Sequence, residues 1–91
     1  MKAIHMTRPG GPEVLEVVDV PLPEITSSTG VRVKLHAAGI NPVDTKMRSG
    51  AYPVDPLPTI LGCDGAGVVE STGTGVVELR EGDEVYFFHG G

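Results

Sequence analysis

The sequence is poor in cysteine, in aromatic residues and in long apolar runs. Its 91 residues include one cysteine, no tryptophan, two tyrosines and two phenylalanines. A single cysteine excludes an internal disulfide, so nothing points to secretion. No apolar run approaches the roughly 18–20 residues that a membrane-spanning helix needs, and the first residues lack the apolar stretch of a signal peptide. We therefore expect a soluble, cytoplasmic protein.

Positive charge is also scarce. Seven Lys and Arg residues stand against twelve Asp and Glu residues, which gives a net charge of −5. Nucleic acids and anionic membranes are bound by basic patches, so we expect neither as a partner. Thirteen glycines and eight prolines, interleaved with valine-rich runs, are too many for a helical bundle. They favour a mainly β domain with many tight connections.

Short β-branched runs separated by turn residues predict the strands. These runs lie within residues 2–7, 14–20, 31–40, 65–73 and 80–88, and the first two could pair as a hairpin. The run 31–40 alternates most clearly. It predicts one apolar face and one solvated face, formed respectively by Val31, Val33, Leu35, Ala37 and by Arg32, Lys34, His36.

One short helix is predicted between residues 41 and 50. Asn41 is a good N-cap, Pro42 suits the first helical position, and Asp44 falls in the first turn, where the helix dipole favours an acid. Arg48 lies near the other end, and Gly50 can terminate the helix. The next segment, residues 51–59, holds three prolines and is expected to be an irregular loop.

Two glycine pairs invite a nucleotide-binding interpretation, "GAGVVE" from Gly65 and "GTGVVE" from Gly73. The dinucleotide fingerprint is G-x-G-x-x-G between a strand and a helix. Both stretches lack the third glycine and lead into β-type residues. We therefore interpret them as a crowded strand and a tight turn.

Residue spacing does not favour a metal site. Zinc is usually held by four converging ligands, whereas Cys63 and Asp64 are adjacent and would face opposite ways on a strand. His5, His36 and His89 are scattered along the chain. Cys63 is expected to be a small buried apolar residue.

Asn41, Asp44 and Tyr52 bracket the predicted helix and have two interpretations. They could be a cap, a first-turn acid and a loop aromatic, or they could line a pocket beside a helix N-terminus. The residue pattern alone leaves both open.

A resemblance to a known family rests on four motifs in order. They are "GGPEVLE", "AAGINPVDTKMRSGAYP", "LGCDGAGVVESTGTGV" and "EGDEV", at residues 10–16, 37–53, 61–76 and 81–85. In this order the sequence resembles the N-terminal part of the zinc-free quinone oxidoreductase branch of the medium-chain dehydrogenases/reductases. The resemblance implies a mainly β fold, a GroES-like, partly open β-barrel with one or two short helices. Residues 1–91 would then form the N-terminal part of a GroES-like catalytic domain, without the Rossmann domain.

The resemblance also implies a reaction, hydride transfer from NADPH to a small-molecule quinone or enone. Catalytic roles would fall to Asn41, Tyr52 and Asp44: Asn41 orients the ligand, Tyr52 donates a hydrogen bond to the substrate oxygen, and Asp44 fixes Asn41. Asn41 and Lys46 would contact the cofactor. Most of the NADPH site would belong to the Rossmann domain, so the isolated segment is expected to be inactive. The full-length protein would be a homodimer.

Lys46 departs from the resembling family, in which this position is often aromatic. A lysine there would favour an anionic or strongly polar group over a flat quinone. Alternatively, the side chain points to solvent from the helix.

Zinc is not expected. Zinc-dependent members of the wider family carry a cysteine where this chain has Asn41, and His-Glu where it has Cys63 and Asp64. An amide is a poor substitute for a thiolate ligand. Two alternatives stay open: a zinc-dependent alcohol dehydrogenase catalytic domain, and a non-enzymatic GroES-like binding or assembly module.

Overall fold

The computed structural model describes residues 1–88. His89, which the sequence places at the end of the last strand, lies outside the described residues. The regular elements are β1 (Lys2–Met6), a 3₁₀ helix (Pro12–Val14), β2 (Leu15–Asp19), β3 (Val31–Ala38), α1 (Pro42–Ser49), β4 (Thr59–Ile60), β5 (Asp64–Thr72) and β6 (Glu84–Phe88). The described helices are too short and too polar to cross a membrane.

The chain divides into two compact units. The first combines Met1–Pro21 with Ile40–Gly62, and the second combines Leu22–Gly39 with the residues from Cys63 onward. Each unit contains one three-stranded antiparallel sheet, with strand order β2-β1-β4 in the first and β3-β5-β6 in the second. The predicted mainly β class with one short α-helix is therefore confirmed.

The first sheet is built on the predicted hairpin. β1 and β2 pair in register from Lys2 opposite Asp19 to Met6 opposite Leu15. The connection contains the 3₁₀ helix, and two residues are fully buried here: Met6 at the end of β1 and Val14 in the 3₁₀ helix. Strand β4 has only two residues, and the proline-rich pattern before it gave no signal for a strand. It forms because β1 offers a free edge, on which Ile60 pairs with His5.

Strand β5 lies at the centre of the second sheet and contains the first glycine pair. A Cβ atom on Gly67 would collide with the carbonyl oxygen of Lys34 and lie 3.0 Å from the Cα of Leu35. Gly67 therefore allows β3 to approach β5 closely. A Cβ on Gly73, in the turn after β5, would lie 2.5 Å from the carbonyl oxygen of Ser28. The interpretation as a crowded strand and a tight turn is confirmed.

The pairing of β3 with β5 shifts register twice, between Arg32 and Val33 and between Leu35 and Ala37, and the second shift contradicts the predicted alternation along β3. Leu35 pairs with Gly67, but Ala37 pairs with Ala66, so His36 is an extra residue in a β-bulge. Because successive residues of β5 face opposite sides, Leu35 and Ala37 lie on opposite faces of the sheet. The alternation rule assumes an unbroken ladder, and the bulge breaks it.

The predicted solvated face of β3 is also only partly solvated. Lys34 and His36 are exposed, as expected. The Arg32 side chain is 28% exposed and forms an ion pair with Glu70 at 3.0 Å. It also donates a hydrogen bond to the Pro23 carbonyl oxygen at 3.3 Å. These contacts hold the Arg32 guanidinium against the surface of the second unit, to which Pro23 and Glu70 also belong.

Candidate functional site

The start of α1 is held by reciprocal hydrogen bonds between Asn41 and Asp44. Asn41 has extended backbone angles, φ −117° and ψ 157°, and precedes Pro42 at the first helical position. The backbone N–H of Asn41 donates to Oδ2 of Asp44 at 2.8 Å, and the Asp44 N–H donates to the Asn41 carbonyl oxygen at 2.9 Å. This carboxylate reaching back to the N-cap is one half of a capping box, and the Asn41 side chain, which accepts from the Asp44 N–H, is the other half. The predicted cap and helix start are confirmed.

Asp44 is unusual because it is buried, with 8% of its surface exposed. A buried carboxylate is stable when hydrogen-bond donors surround it, and the Asn41 N–H supplies one such donor. Asp44 thereby restrains the backbone at Asn41. A catalytic role for either residue stays a prediction.

The end of α1 turns the chain back toward the helix. Gly50 has φ +91°, which is the left-handed conformation that glycine adopts without a steric penalty. Its N–H donates to the Met47 carbonyl oxygen at 3.3 Å, and two residues later the Tyr52 N–H donates to the Lys46 carbonyl oxygen at 3.1 Å. The reversal therefore holds the backbone of Tyr52 beside that of Lys46.

The side chains of these two residues also meet. The Lys46 ammonium nitrogen lies 3.5 Å from the Tyr52 hydroxyl oxygen, as a long hydrogen bond, and 5.3 Å from the centre of the Tyr52 ring. Both residues are exposed, Tyr52 to 46%. Lys46 thus stays at the surface, but its ammonium lies over Tyr52 instead of extending away from it.

The loop before β2 braces the same helix. The Arg48 Nε donates to the Gly10 carbonyl oxygen at 3.2 Å, and the Gly10 N–H donates to the Arg48 carbonyl oxygen at 2.8 Å. A two-way link between residues 38 positions apart restrains the end of α1. The end of α1, which carries Lys46 and leads into Tyr52, is therefore held by hydrogen bonds to the connection between β1 and β2.

All four predicted site residues belong to the first unit, and they form two pairs. Asn41 and Asp44 meet at the helix start, and Lys46 and Tyr52 meet through the helix end. Sequence reasoning placed all four near α1 but did not find the contact between Lys46 and Tyr52. The signal that could have found it is the left-handed Gly50, which returns the chain toward the last helical turn.

The residues considered for a metal do not form a cluster in the described part of the chain. Between residues 1 and 88, no three His, Cys, Asp or Glu side chains converge as metal binding requires. Cys63 is buried, as predicted, and Asp64 accepts a hydrogen bond from the Gly39 N–H at 2.8 Å. His5 lies 3.4 Å from Glu16 across the hairpin, a contact that linear spacing did not reveal because it depends on the strand register.

Comparison with known proteins places this geometry in a family. Residues 27–90 match the alcohol dehydrogenase GroES-like domain. A quinone oxidoreductase of Rattus norvegicus is 47% identical over 92 residues, which covers 97% of this chain and 27% of the rat protein. The chain thus spans little more than a quarter of the length of such curated relatives.

Solved structures agree. A quinone oxidoreductase of Escherichia coli, complexed with NADPH, has a TM-score of 0.92 at 38% identity, covering 98% of this chain and 27% of the other. A cobalt- and zinc-bound alcohol dehydrogenase of Pyrobaculum aerophilum has a TM-score of 0.84 at 35% identity, covering 94% and 26%. These matches confirm the GroES-like class. The chain belongs to the alcohol dehydrogenase GroES-like domain family of the medium-chain dehydrogenases/reductases, and quinone oxidoreductases are among its most similar relatives.

Proposed function

We propose that residues 1–91 act as the N-terminal part of the catalytic domain of an NADPH-dependent quinone oxidoreductase or enone reductase. The observation that carries this proposal is the similarity to the E. coli quinone oxidoreductase, which extends over 98% of this chain. The names of the curated relatives support an oxidoreductase over a binding or assembly module.

The side chains around α1 suit the proposed reaction. NADPH, when bound, supplies a hydride to a quinone or to a conjugated C=C bond. The exposed Tyr52 hydroxyl donates a hydrogen bond to the substrate oxygen on which negative charge develops. Asn41 orients the ligand with its amide, and Asp44 fixes Asn41 through the 2.8 Å contact to its N–H. Lys46 stands beside Tyr52 and contributes positive charge where the coenzyme and substrate meet.

The described residues do not form the usual binding site for the pyrophosphate of a dinucleotide. That site is usually a glycine-rich turn at a helix N-terminus. Within residues 1–88, Gly65 and Gly67 lie inside a strand, and the start of α1 is occupied by the Asp44 carboxylate. A second anion at this helix start would be repelled. We therefore assign most of the coenzyme contacts to a segment outside residues 1–88.

A chimera tests the proposed function. This chain replaces the matched segment of the E. coli quinone oxidoreductase, and NADPH oxidation is followed with a quinone and with an enone. We expect turnover in the chimera, and neither turnover nor tight NADPH binding by the 91-residue chain in a fluorescence titration. A soluble, folded chimera without turnover would contradict the proposed reaction, and tight NADPH binding by the chain alone would contradict the assignment of the coenzyme site.

Zinc independence is part of the proposal, and similarity to a zinc-bound alcohol dehydrogenase makes it a necessary test. Asn41 is a poor zinc ligand, which leaves Cys63 and Asp64 as an incomplete ligand set. We expect metal analysis of the purified protein to find zinc far below one equivalent, with no change in the Cys63→Ser variant. Stoichiometric zinc that is lost in Cys63→Ser would favour the alcohol dehydrogenase alternative.

The remaining assignments follow from the same proposal. The protein would work in the cytoplasm on a small molecule, as a homodimer, with neither nucleic acid nor membrane as a partner. The net charge of −5 supports the last point.

A further inference from the structure

The contact between Lys46 and Tyr52 defines the kind of group that this surface can bind. The two side chains place an ammonium nitrogen and a hydroxyl oxygen 3.5 Å apart. Two donors at this separation can both reach a single oxygen atom that lies about 2.8 Å from each of them. They can equally bind the two oxygens of one carboxylate.

Both groups keep hydrogens available for a ligand. The ammonium has three N–H bonds, of which one is directed to the Tyr52 oxygen. The Tyr52 oxygen accepts that bond through a lone pair, so its own O–H can donate elsewhere. A bond from an ammonium to a carboxylate is charge-assisted, and it is shorter and stronger than one between neutral groups.

The charge on Lys46 is not used by the ion pairs of the described residues. These pairs join Lys2 with Asp19, His5 with Glu16, and Arg32 with Glu70. Lys46 instead rests over the Tyr52 ring, 5.3 Å from its centre. A cation over a ring face is attracted to it, and this attraction holds the ammonium near the hydroxyl without neutralising its charge.

The backbone keeps the two donors together. Lys46 lies on α1, and Tyr52 follows the left-handed Gly50 with its N–H bonded to the Lys46 carbonyl oxygen at 3.1 Å. The end of α1 is further tied to Gly10 through Arg48. Little conformational freedom of the backbone is then lost on binding, which favours affinity.

We propose that Lys46 and Tyr52 form a two-donor site for an anion, so that the preferred acceptor carries a carboxylate or a similar anion within reach of Lys46 while the Tyr52 O–H donates to the substrate oxygen beside it. A neutral, flat quinone would leave the Lys46 charge without a partner. This inference rests on the proposed function for the reaction, but the site itself binds an anion without coenzyme.

The experiment uses the 91-residue chain with benzoate as the anionic probe and benzamide as its neutral analogue of similar shape. Amide chemical shifts are followed by NMR at low salt. We expect benzoate to bind with a dissociation constant on the order of millimolar, with shifts concentrated between residues 46 and 52. Benzamide should give no saturable shifts there, and added salt should weaken benzoate binding because the site is exposed.

Three variants make the test specific. Lys46→Met should weaken benzoate binding about fivefold, which is the scale of one exposed charge pair, and Lys46→Arg should restore most of it. Lys34→Met, which removes another exposed lysine, should leave binding unchanged. Equal affinities for benzoate and benzamide, or equal losses in Lys46→Met and Lys34→Met, would overturn the proposal.

The outcome is separable from that of the chimera. An active chimera together with a negative titration removes the anion site and leaves the proposed reaction standing. A positive titration together with an inactive chimera supports the anion site and contradicts the proposed reaction. The amide spectrum of each variant reports whether its fold is retained.

Discussion

Replacing Gly67 with alanine is expected to destabilise the protein by about 3 kcal/mol. The added Cβ would collide with the carbonyl oxygen of Lys34 and lie 3.0 Å from the Cα of Leu35. Both atoms belong to the backbone of β3, so no side chain can rotate away to make room. The two strands would have to separate along the central ladder of their sheet. Since a domain of this size has a total stability of roughly 5–14 kcal/mol, the loss should be easy to measure by urea unfolding followed by circular dichroism.

Gly82→Ala is the matched control for this substitution. Gly82 has φ +91°, and no atom lies within 4 Å of a Cβ built on it. Alanine there meets only the cost of the left-handed conformation, about 1–2 kcal/mol. If Gly67→Ala proved no more destabilising than Gly82→Ala, the claim that the close approach of β3 to β5 requires glycine at position 67 would be wrong.

Replacing Tyr52 with phenylalanine in the active chimera is expected to lower kcat/KM by about 10²-fold. The substitution removes only the hydroxyl and keeps the ring that Lys46 lies over. The fold should be unaffected, since Tyr52 is 46% exposed and its backbone hydrogen bond to Lys46 is retained. The loss should appear mainly in kcat, because the hydroxyl acts where charge develops during the reaction. Initial rates of NADPH oxidation over a range of quinone concentrations measure it.

The second tyrosine of the chain provides the control. Tyr86 lies on β6 and is 90% exposed, and Tyr86→Phe should change kcat/KM by less than about twofold. A Tyr52→Phe chimera as active as the Tyr86→Phe chimera would show that the Tyr52 hydroxyl is not the donor. In that case the contact between Lys46 and Tyr52 would contribute to the structure but not to the reaction.

The helix and its neighbours show how far local sequence signals reach. Asn41, Pro42 and Gly50 marked both ends of α1, because capping and the left-handed conformation depend on residues only a few positions apart. Resemblance then attached possible roles to Asn41, Asp44 and Tyr52. It could not place the Lys46 ammonium, since both the solvent-directed conformation and the one over Tyr52 fit the same sequence.

Departures from expectation occur where distant segments meet. The bulge at His36 depends on how β3 matches the glycine-rich β5, and it places Ala37 on the face opposite Leu35. The ion pair between Arg32 and Glu70 joins residues 38 positions apart. Neither follows from the alternation of polar and apolar residues, because alternation within one strand carries no information about its register with another.

The sequence by itself determined the mainly β class, the limits of α1 and the family, because these depend on local propensities and on motifs in a set order. Only the tertiary structure decided the division into two units, the break in the β3 alternation and the pairing of Lys46 with Tyr52. All three depend on contacts between distant chain segments. Strand register, turn geometry and the space left by a missing Cβ together control those contacts.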